Sequence, residues 1–443
     1  MAATSPIPAT AYAQIGQIAS QRSVHAALRW LHLHEQQIMR WQAECVAIPA
    51  PPFAENERAD WFRARFQELG LTLLPSDSVG NVVAQLGELG SHPAQPREQP
   101  GMHAETADEA IPVILLSAHL DTVFAAGTRV DPVLEQHRLQ APGACDNGAG
   151  LAALLAIAAS LRHAAIVPAC RILFVANVGE EGEGDLRGMR AIYAEAPWRG
   201  AIAAHLVLDG AGHSVAVTGA LGSRRFEAEI LGAGGHSWTD AGRPNPILAL
   251  ADAITRLRSR RDPLSAPRNE AGPARTTWNI GTIEGGSSVN ALPCSATARF
   301  DTRSTDPANL VHLEVELHRA VEDAVMTANT GTPGQPVAGE HALRFQIRSI
   351  GNRPAGALPA DARILALLRA VDRHLGLRTE LRTASTDANI PLSLGVEALG
   401  IGAGGEGGGI HTTAEWFDAQ GRDLGLRRIL LLLLALSECH SIT

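Results

Sequence analysis

Short apolar runs, each closed by a polar cluster, recur along the chain: IPVILLSAHLD (111–121), CRILFVANVGEE (170–181), AHLVLDG (204–210) and VEALGIGAGG (396–405). Unbroken Val-, Ile- and Leu-rich runs of this length suit strands covered on both faces, as in a parallel sheet flanked by helices. Helical stretches alternate with them. NGAGLAALLAIAASLRHA (147–164) is rich in Ala and Leu, and DARILALLRAVDRHLG (361–376) opens on Asp and closes on Gly, residues that favour helix starts and stops. The alternation predicts an α/β domain with a mostly parallel sheet and helices on both faces. ILLLLLAL (429–436) falls far short of the roughly 20 residues that span a bilayer and reads as a buried helix.

Between about 217 and 352 the texture changes. SRRFEAEILGAGG, TTWNIGTIEGG and CSATARFDTRS alternate polar and apolar residues, the period of antiparallel strands with one wet face. PILALADAITRLRSR (246–260) and NLVHLEVELHRAVEDAV (309–325) have helical periodicity. The expected organisation is therefore a catalytic domain formed by 1–216 and 353–443, carrying an inserted α+β domain at 217–352. GELGSHPAQPREQPGMHAETADEA (87–110) reads as an exposed loop.

Size agrees with two domains, since 443 residues exceed one ordinary core. With 45% apolar and 19% charged residues the chain fits a soluble globular enzyme, and its net charge of −9 argues against nucleic acid or an anionic membrane as partner. Cys45, Cys145, Cys170, Cys294 and Cys439 show no CxxC spacing, so neither a disulfide framework nor a thiolate zinc site is expected. The amino terminus lacks the basic start and apolar core of a signal peptide. A reducing, cytoplasmic location is the expectation.

Acids and histidines gather where the apolar runs stop. His119 and Asp121 end one run, Glu180 and Glu181 another, and Asp209 a third; Asp146 lies in the turn GACDNGAG and His411 follows a glycine-rich loop. In open α/β sheets sites form at the carboxyl ends of the strands, so these side chains are expected to converge. Imidazole and carboxylate donors together suit two divalent ions sharing a bridging carboxylate, zinc first among them. A short side chain on a Gly-flanked turn makes Asp146 the natural bridge. His119 and Asp121, two apart on a strand, point the same way, which places the second to fix the ring tautomer of the first. Of the adjacent Glu180 and Glu181, one would ligate metal and the other would act as general base.

SAHLDTVF, GACDNGAGLAALLA, NVGEEGEGDLRG, GGHSW, STDANIPLSLG and GGGIHTTAEWFD, in this order, resemble the dinuclear zinc exopeptidases and amidases that include peptidase T, carboxypeptidase G, succinyl-diaminopimelate desuccinylase and aminoacylase. SxDANIPLSLG and GNRPAG at 351–356 are most similar to the peptidase T-like branch. The resemblance covers roughly residues 40 to 440. It implies one ion held by His119, Asp146 and Asp209 and a second by Asp146, Glu181 and His411, with Glu180 as base and Asp121 orienting His119. Co2+ or Mn2+ are alternatives to Zn2+. The inserted domain is then a lid and homodimerisation module, in which His236 stabilises the oxyanion while Asn290 and Arg303 bind a substrate carboxylate, helped by backbone N–H groups around Gly404.

The expected activity is hydrolysis of an amide bond in a small carboxylate-bearing substrate, a di- or tripeptide for an exopeptidase of aminopeptidase type. Two rivals stand beside it: an N-acyl amino acid deacylase or desuccinylase of the same family, and a catalytically silent carboxylate-binding dimer. GAGGEG (402–407) fits GxGxxG but has no fitting acid about 20 positions later, which argues against a dinucleotide site. No GxSxG elbow occurs.

Overall fold

A computed structural model describes residues 9–87, 111–259, 275–330, 337 and 339–438. The loop expected at 87–110 lies, apart from Gly87, outside the described residues, as does Cys439. The chain divides into two compact units, Met1–Ala220 with Ala357–Thr443, and Leu221–Gly356.

In the first unit the strands lie in the order Thr72–Leu73, Val82–Gln85, Arg171–Asn177, Val113–His119, Ile202–Leu208, Ala398–Ile401 and Val215–Ala220, with Glu380–Ala384 beside the last. The central pairs are parallel: Val113–His119 runs alongside both Arg171–Asn177 and Ile202–Leu208, and Ala398–Ile401 alongside Ile202–Leu208. Every residue of Val113–His119 and Arg171–Asn177 is buried. Their side chains alternate between two cores. Ile114, Leu116 and Ala118 join the core formed with helices Gly148–His163, Arg363–Leu375 and Arg422–Ser437, whereas Val113 and Leu115 pack with Met189 and Ile192 of helix Arg187–Glu195 on the other face. That division is why these strands read as continuous rather than alternating apolar runs. His119 pairs in register with Asn177, and Ser117 with Val207. The carboxyl ends of three strands therefore finish side by side.

Three helices the apolar pattern did not announce, Ala9–Ala19, Arg22–Leu33 and Glu35–Val46, contribute Ile15, Leu31 and Ile38 to the larger core. Among the described residues no helix is long and apolar enough to cross a membrane.

The second unit is a sheet of four antiparallel strands in the order Thr276–Gly285, Ser295–Ser304, Gly222–Leu231 and Arg344–Arg353. Helices Pro246–Ser259 and Pro307–Asn329 share one core with it, built from Phe226, Ile230, Leu250, Phe300, Leu317 and Val321. The second helix begins earlier than its apolar pattern suggested, because Asp306 accepts from the Ala308 N–H at 2.9 Å and Pro307 occupies the first turn, where its missing N–H costs nothing.

One buried polar triad sits inside the large sheet. His205 Nε2 lies 2.8 Å from Ser117 Oγ and its Nδ1 3.0 Å from the Tyr193 hydroxyl. Burial lowers the His205 pKa to about 3, so the ring is neutral when folded and gains a proton readily only when unfolded. Below pH about 6.5 the unfolded state binds more protons, and stability falls with falling pH by up to about 1.4 kcal/mol per unit from this group until its folded pKa is reached. In urea unfolding between pH 7 and 4, His205→Asn should show a shallower loss than the wild type. Parallel pH dependences would show that His205 is not held neutral.

Candidate metal centre

The carboxyl ends of the parallel strands carry the site. His119 is the last residue of its strand, and the next residue, Leu120, donates its N–H to the Asn177 carbonyl at 2.7 Å. Asp209 directly follows Ile202–Leu208 and donates its N–H to the Ile401 carbonyl at 3.0 Å. Glu180 and Glu181 lie just beyond Arg171–Asn177, after Gly179, whose φ of +66° lets the chain turn there without a Cβ penalty. Asp146 precedes helix Gly148–His163. The capping residue Asn147 accepts from the Gly150 N–H at 3.1 Å and from the Gly210 N–H at 3.2 Å, and donates to the Leu208 carbonyl at 2.8 Å, so it fixes the Asp146 turn against the Asp209 loop. His411 adopts a left-handed φ of 64°, a conformation that costs a β-carbon-bearing residue about 1–3 kcal/mol and concentrates at functional sites.

The structure brings these side chains together. Asp146 presents one oxygen to each imidazole: Oδ1 lies 3.0 Å from His119 Nε2 and Oδ2 3.1 Å from His411 Nε2. Glu181 Oε1 is 3.2 Å from the same His411 nitrogen, and Asp209 Oδ1 is 4.0 Å from His119 Nε2. Three sets of donor atoms each fall within 4.8 Å of one another: His119, Asp146 and Asp209; Asp146, Glu181 and His411; and His119, Glu180 and Glu181. Glu180 is thus near His119 without belonging to the His411 set.

Charge sets the character of this arrangement. Burial, with Glu180 and Asp146 nearby, pushes Glu181 up to about 8, and burial together with Asp146 pushes Asp209 up to about 7. Asp146 is shifted the other way: its burial is overcome by hydrogen bonds to His119 and His411, which hold its carboxyl below the usual range. The hydrogen bond that His411 donates to Asp146 leads the causes that raise His411 to about 9. Burial alone would lower His119, but the Asp121 and Asp146 carboxylates raise it well above its ordinary value. Carboxylates that cannot all ionise beside imidazoles that hold extra protons form a donor set short of positive charge. Oxygen and imidazole donors in two groups sharing Asp146 fit a pair of divalent ions.

Two further acids hold the frame. Asp121, fully buried, accepts the N–H groups of Glu180 and Glu181 at 2.9 and 2.7 Å. Its orienting role toward His119 is divided: His119 Nδ1 lies 3.0 Å from the Asp121 carbonyl oxygen and 3.7 Å from Oδ1. Glu415, also fully buried, accepts the N–H groups of Gly143, Cys145 and Asp146 at 3.0, 2.8 and 2.7 Å. A residue from HTTAEW therefore shapes the Asp146 turn. Asp387, overlooked within STDANIPLSLG, accepts from Asn177 Nδ2 at 2.7 Å, and burial followed by the Glu180 charge raises its carboxyl well above the usual range. Its only advance signal was an acid inside an apolar stretch.

Residues 115–435 match the family model described as Peptidase family M20/M25/M40. The chain belongs to this peptidase family. A probable carboxypeptidase of Aspergillus clavatus is 31% identical over 235 residues, 48% of this chain and 49% of that protein, so the match spans about half the length of this curated relative. Among solved structures, a tripeptidase of Staphylococcus aureus has a TM-score of 0.68 at 21% identity, covering 91% of this chain and 99% of its own. The aminopeptidase PepT of Bacillus cereus gives 0.66 at 19%, with the same coverages of 91% and 99%. A dinuclear metal-binding family peptidase of Bacillus subtilis gives 0.60 at 16%, covering 91% of this chain and 98% of its own. At these identities the likeness shows the fold: a mostly parallel α/β sheet flanked by helices, as expected for an M20 chain.

The remaining expected site residues are placed each within its own unit. His236, Asn290 and Arg303 belong to the second unit. There His236 and Asn290 are close through the backbone, since strand Gly235–His236 pairs with Ala291–Leu292 and the Ser237 N–H donates to the Asn290 carbonyl at 3.0 Å. His236 is exposed, and its Nδ1 accepts from the Trp238 N–H at 3.2 Å. Arg303 Nε donates to Asp301 Oδ2 at 2.8 Å, an ion pair within its own strand. Gly404 lies in the first unit, paired through its backbone. Its N–H, expected to hold a substrate carboxylate, donates to the Gly212 carbonyl at 2.9 Å, and Gly212 returns the bond at 3.1 Å. A glycine is needed here for its φ of +79° and because a Cβ would come within 2.6 Å of the Arg422 carbonyl oxygen and 3.0 Å of Gly425 Cα.

Replacing Glu415 by Ala should strip the acceptor from three buried N–H groups. Unfolding free energy should fall by about 2–4 kcal/mol in urea titration, and divalent-ion affinity should weaken about 10–100-fold in a chelator-buffered titration. Unchanged values for both would show that the Asp146 turn holds itself.

Proposed function

We propose that this M20 chain is a metal-dependent hydrolase of amide bonds in small carboxylate-bearing substrates, a di- or tripeptide exopeptidase. The observation that carries the reading is Asp146, with its two oxygens turned to two different imidazoles and Glu180 beside the set. His119, Asp146 and Asp209 would hold one divalent ion and Asp146, Glu181 and His411 the other, with zinc the expected metal. Bound ions would supply Lewis acidity toward the scissile carbonyl and make a water a better nucleophile at neutral pH.

The protein's own groups do the rest. Glu180 accepts a proton from the attacking water at its carboxylate and delivers it to the departing amine nitrogen. Asp121 keeps that carboxylate in place through the two N–H bonds at Glu180 and Glu181. The unit formed by 1–220 and 357–443, expected at 1–216 and 353–443, would serve as the catalytic domain, and 221–356, expected at 217–352, as a lid and homodimerisation domain of a cytoplasmic protein. From it His236 would stabilise the developing oxyanion, while Asn290 and Arg303 would grip the substrate carboxylate. Arg303 would exchange part of its bond to Asp301 for that carboxylate, which a guanidinium fork accepts in two hydrogen bonds. The names of the tripeptidase, PepT and carboxypeptidase relatives support a peptide rather than an N-acyl amino acid as substrate.

Elemental analysis of protein purified without chelator should give about two divalent ions per chain. Glu180→Gln should keep them and lose on the order of 10²–10⁴-fold in kcat. A substrate panel of dipeptides, tripeptides and N-acetyl, N-succinyl and N-carbamoyl amino acids decides the class, with turnover expected for the peptides. Full activity after exhaustive dialysis against chelator would remove the reading altogether. Arg303→Met should raise KM about 10-fold or more with a smaller change in kcat, as expected for loss of a charge-assisted substrate contact.

A further inference from the structure

The segment PPFAENER (51–58) buries two charged side chains. Glu55 is 2% exposed and starts helix Asn56–Glu68; both its carboxylate oxygens accept from Arg187 Nη2 at 2.6 Å. Arg58 is 1% exposed. Its Nη1 donates to the Leu120 carbonyl at 2.6 Å and its Nε to the Ile48 carbonyl at 2.9 Å. Leu120 is the residue between His119 and Asp121, and the neighbouring Thr122 donates its N–H to the Ala50 carbonyl at 2.9 Å.

Arg187 connects this segment to the other side of the site. Its Nη1 donates to the Val79 carbonyl at 2.9 Å and its guanidinium lies 5.0 Å from the centre of the Phe53 ring. Its backbone N–H donates to the Gly179 carbonyl at 3.2 Å. Its stem covers Gly179 so closely that a Cβ on that glycine would come within 2.5 Å of Arg187 Cγ. Gly179 immediately precedes Glu180, whose N–H is held by Asp121.

The contacts therefore close on themselves: Glu55 to Arg187, Arg187 to Gly179, Gly179 through the chain to Glu180, Glu180 to Asp121, and Leu120 back to Arg58 in the same helical turn as Glu55. We infer that Glu55, Arg187 and Arg58 are positioning residues, a largely buried ring that fixes the backbone at Glu180, and through it the base, relative to the His119 strand end. The inference rests on the reading of Glu180 as the general base. A ring of short charge-assisted bonds on buried and half-buried groups has few low-energy geometries, whereas Gly179 and Gly182, both at positive φ, leave the Glu180 loop little stiffness of its own. A base displaced by about 1 Å loses on the order of 10²-fold in rate while substrate binding elsewhere is untouched.

The test is a cycle of Arg187→Met and Glu180→Gln, singly and together, assayed on the peptide of the panel with the highest wild-type kcat/KM, with metal content measured on each protein. Arg187→Met should lower kcat by about 10–100-fold with KM within about two-fold and with the metal content of the wild type. Placed on Glu180→Gln, it should lower the residual turnover no further, because a ring that acts through Glu180 has nothing left to position. Arg187→Lys, which keeps the charge but not the fork, should recover part of kcat. If Arg187→Met fails to fold, the isosteric Glu55→Gln takes its place in the cycle. Unchanged kcat, a loss of bound metal in step with kcat, or a full additional loss on the Glu180→Gln background would each overturn the ring as a positioning device. Wild-type turnover by Glu180→Gln itself, or no turnover of any peptide by the wild type, would instead sink the reading on which the ring depends.

Discussion

Too much negative charge in too little space is the constraint around which the catalytic unit is organised. Glu181, Asp146 and Asp209, with Glu180 and Asp387 close by, crowd two imidazoles at the carboxyl ends of buried parallel strands. Buried carboxylates at such separations repel one another strongly, and the low dielectric amplifies the cost. The protein's own groups answer it only in part. Asp146 draws both histidines to itself, while burial and neighbouring charge push Glu181 and Asp209 toward the protonated state. A donor set of this kind is completed by cations.

Holding acids there requires many N–H donors, and the fold supplies them from turns. Asp121 takes two from the Glu180–Glu181 segment and Glu415 takes three from the 143–146 turn. Each of these carboxylates satisfies backbone groups that the ends of strands and helices would otherwise leave without partners. Asn147 does the same between the Asp146 turn and the strand that precedes Asp209. Loops otherwise rich in glycine are thereby made rigid where the chemistry needs them rigid.

The second unit obeys a different rule. Its strands alternate wet and buried faces, its two helices share one core with the sheet, and its charged residues pair along a strand, as Arg303 does with Asp301, or across two, as Arg299 does with Glu227. Such pairs on partly exposed groups contribute little stability, and so leave a guanidinium able to change partners. His236, by contrast, sits on a two-residue strand next to Asn290, in a Gly-rich turn ordered by that short ladder and by Asp240, which accepts the His236 N–H at 2.8 Å.

Element types, their approximate bounds and the ligand candidates were legible from the sequence, because periodicity and side-chain chemistry are local: buried runs read as strands, and acids or histidines at their ends read as a site. The second unit was legible for the same reason, from its change of period. Tertiary structure alone decided which oxygen meets which nitrogen. It joined Glu415 to Gly143 across 272 positions and Glu55 to Arg187 across 132, consumed the Gly404 N–H in a bridge to Gly212, and gave the helices at 9–46 a core to cover. Those outcomes depend on how distant segments pack, and a partner distant in the chain leaves no period behind it.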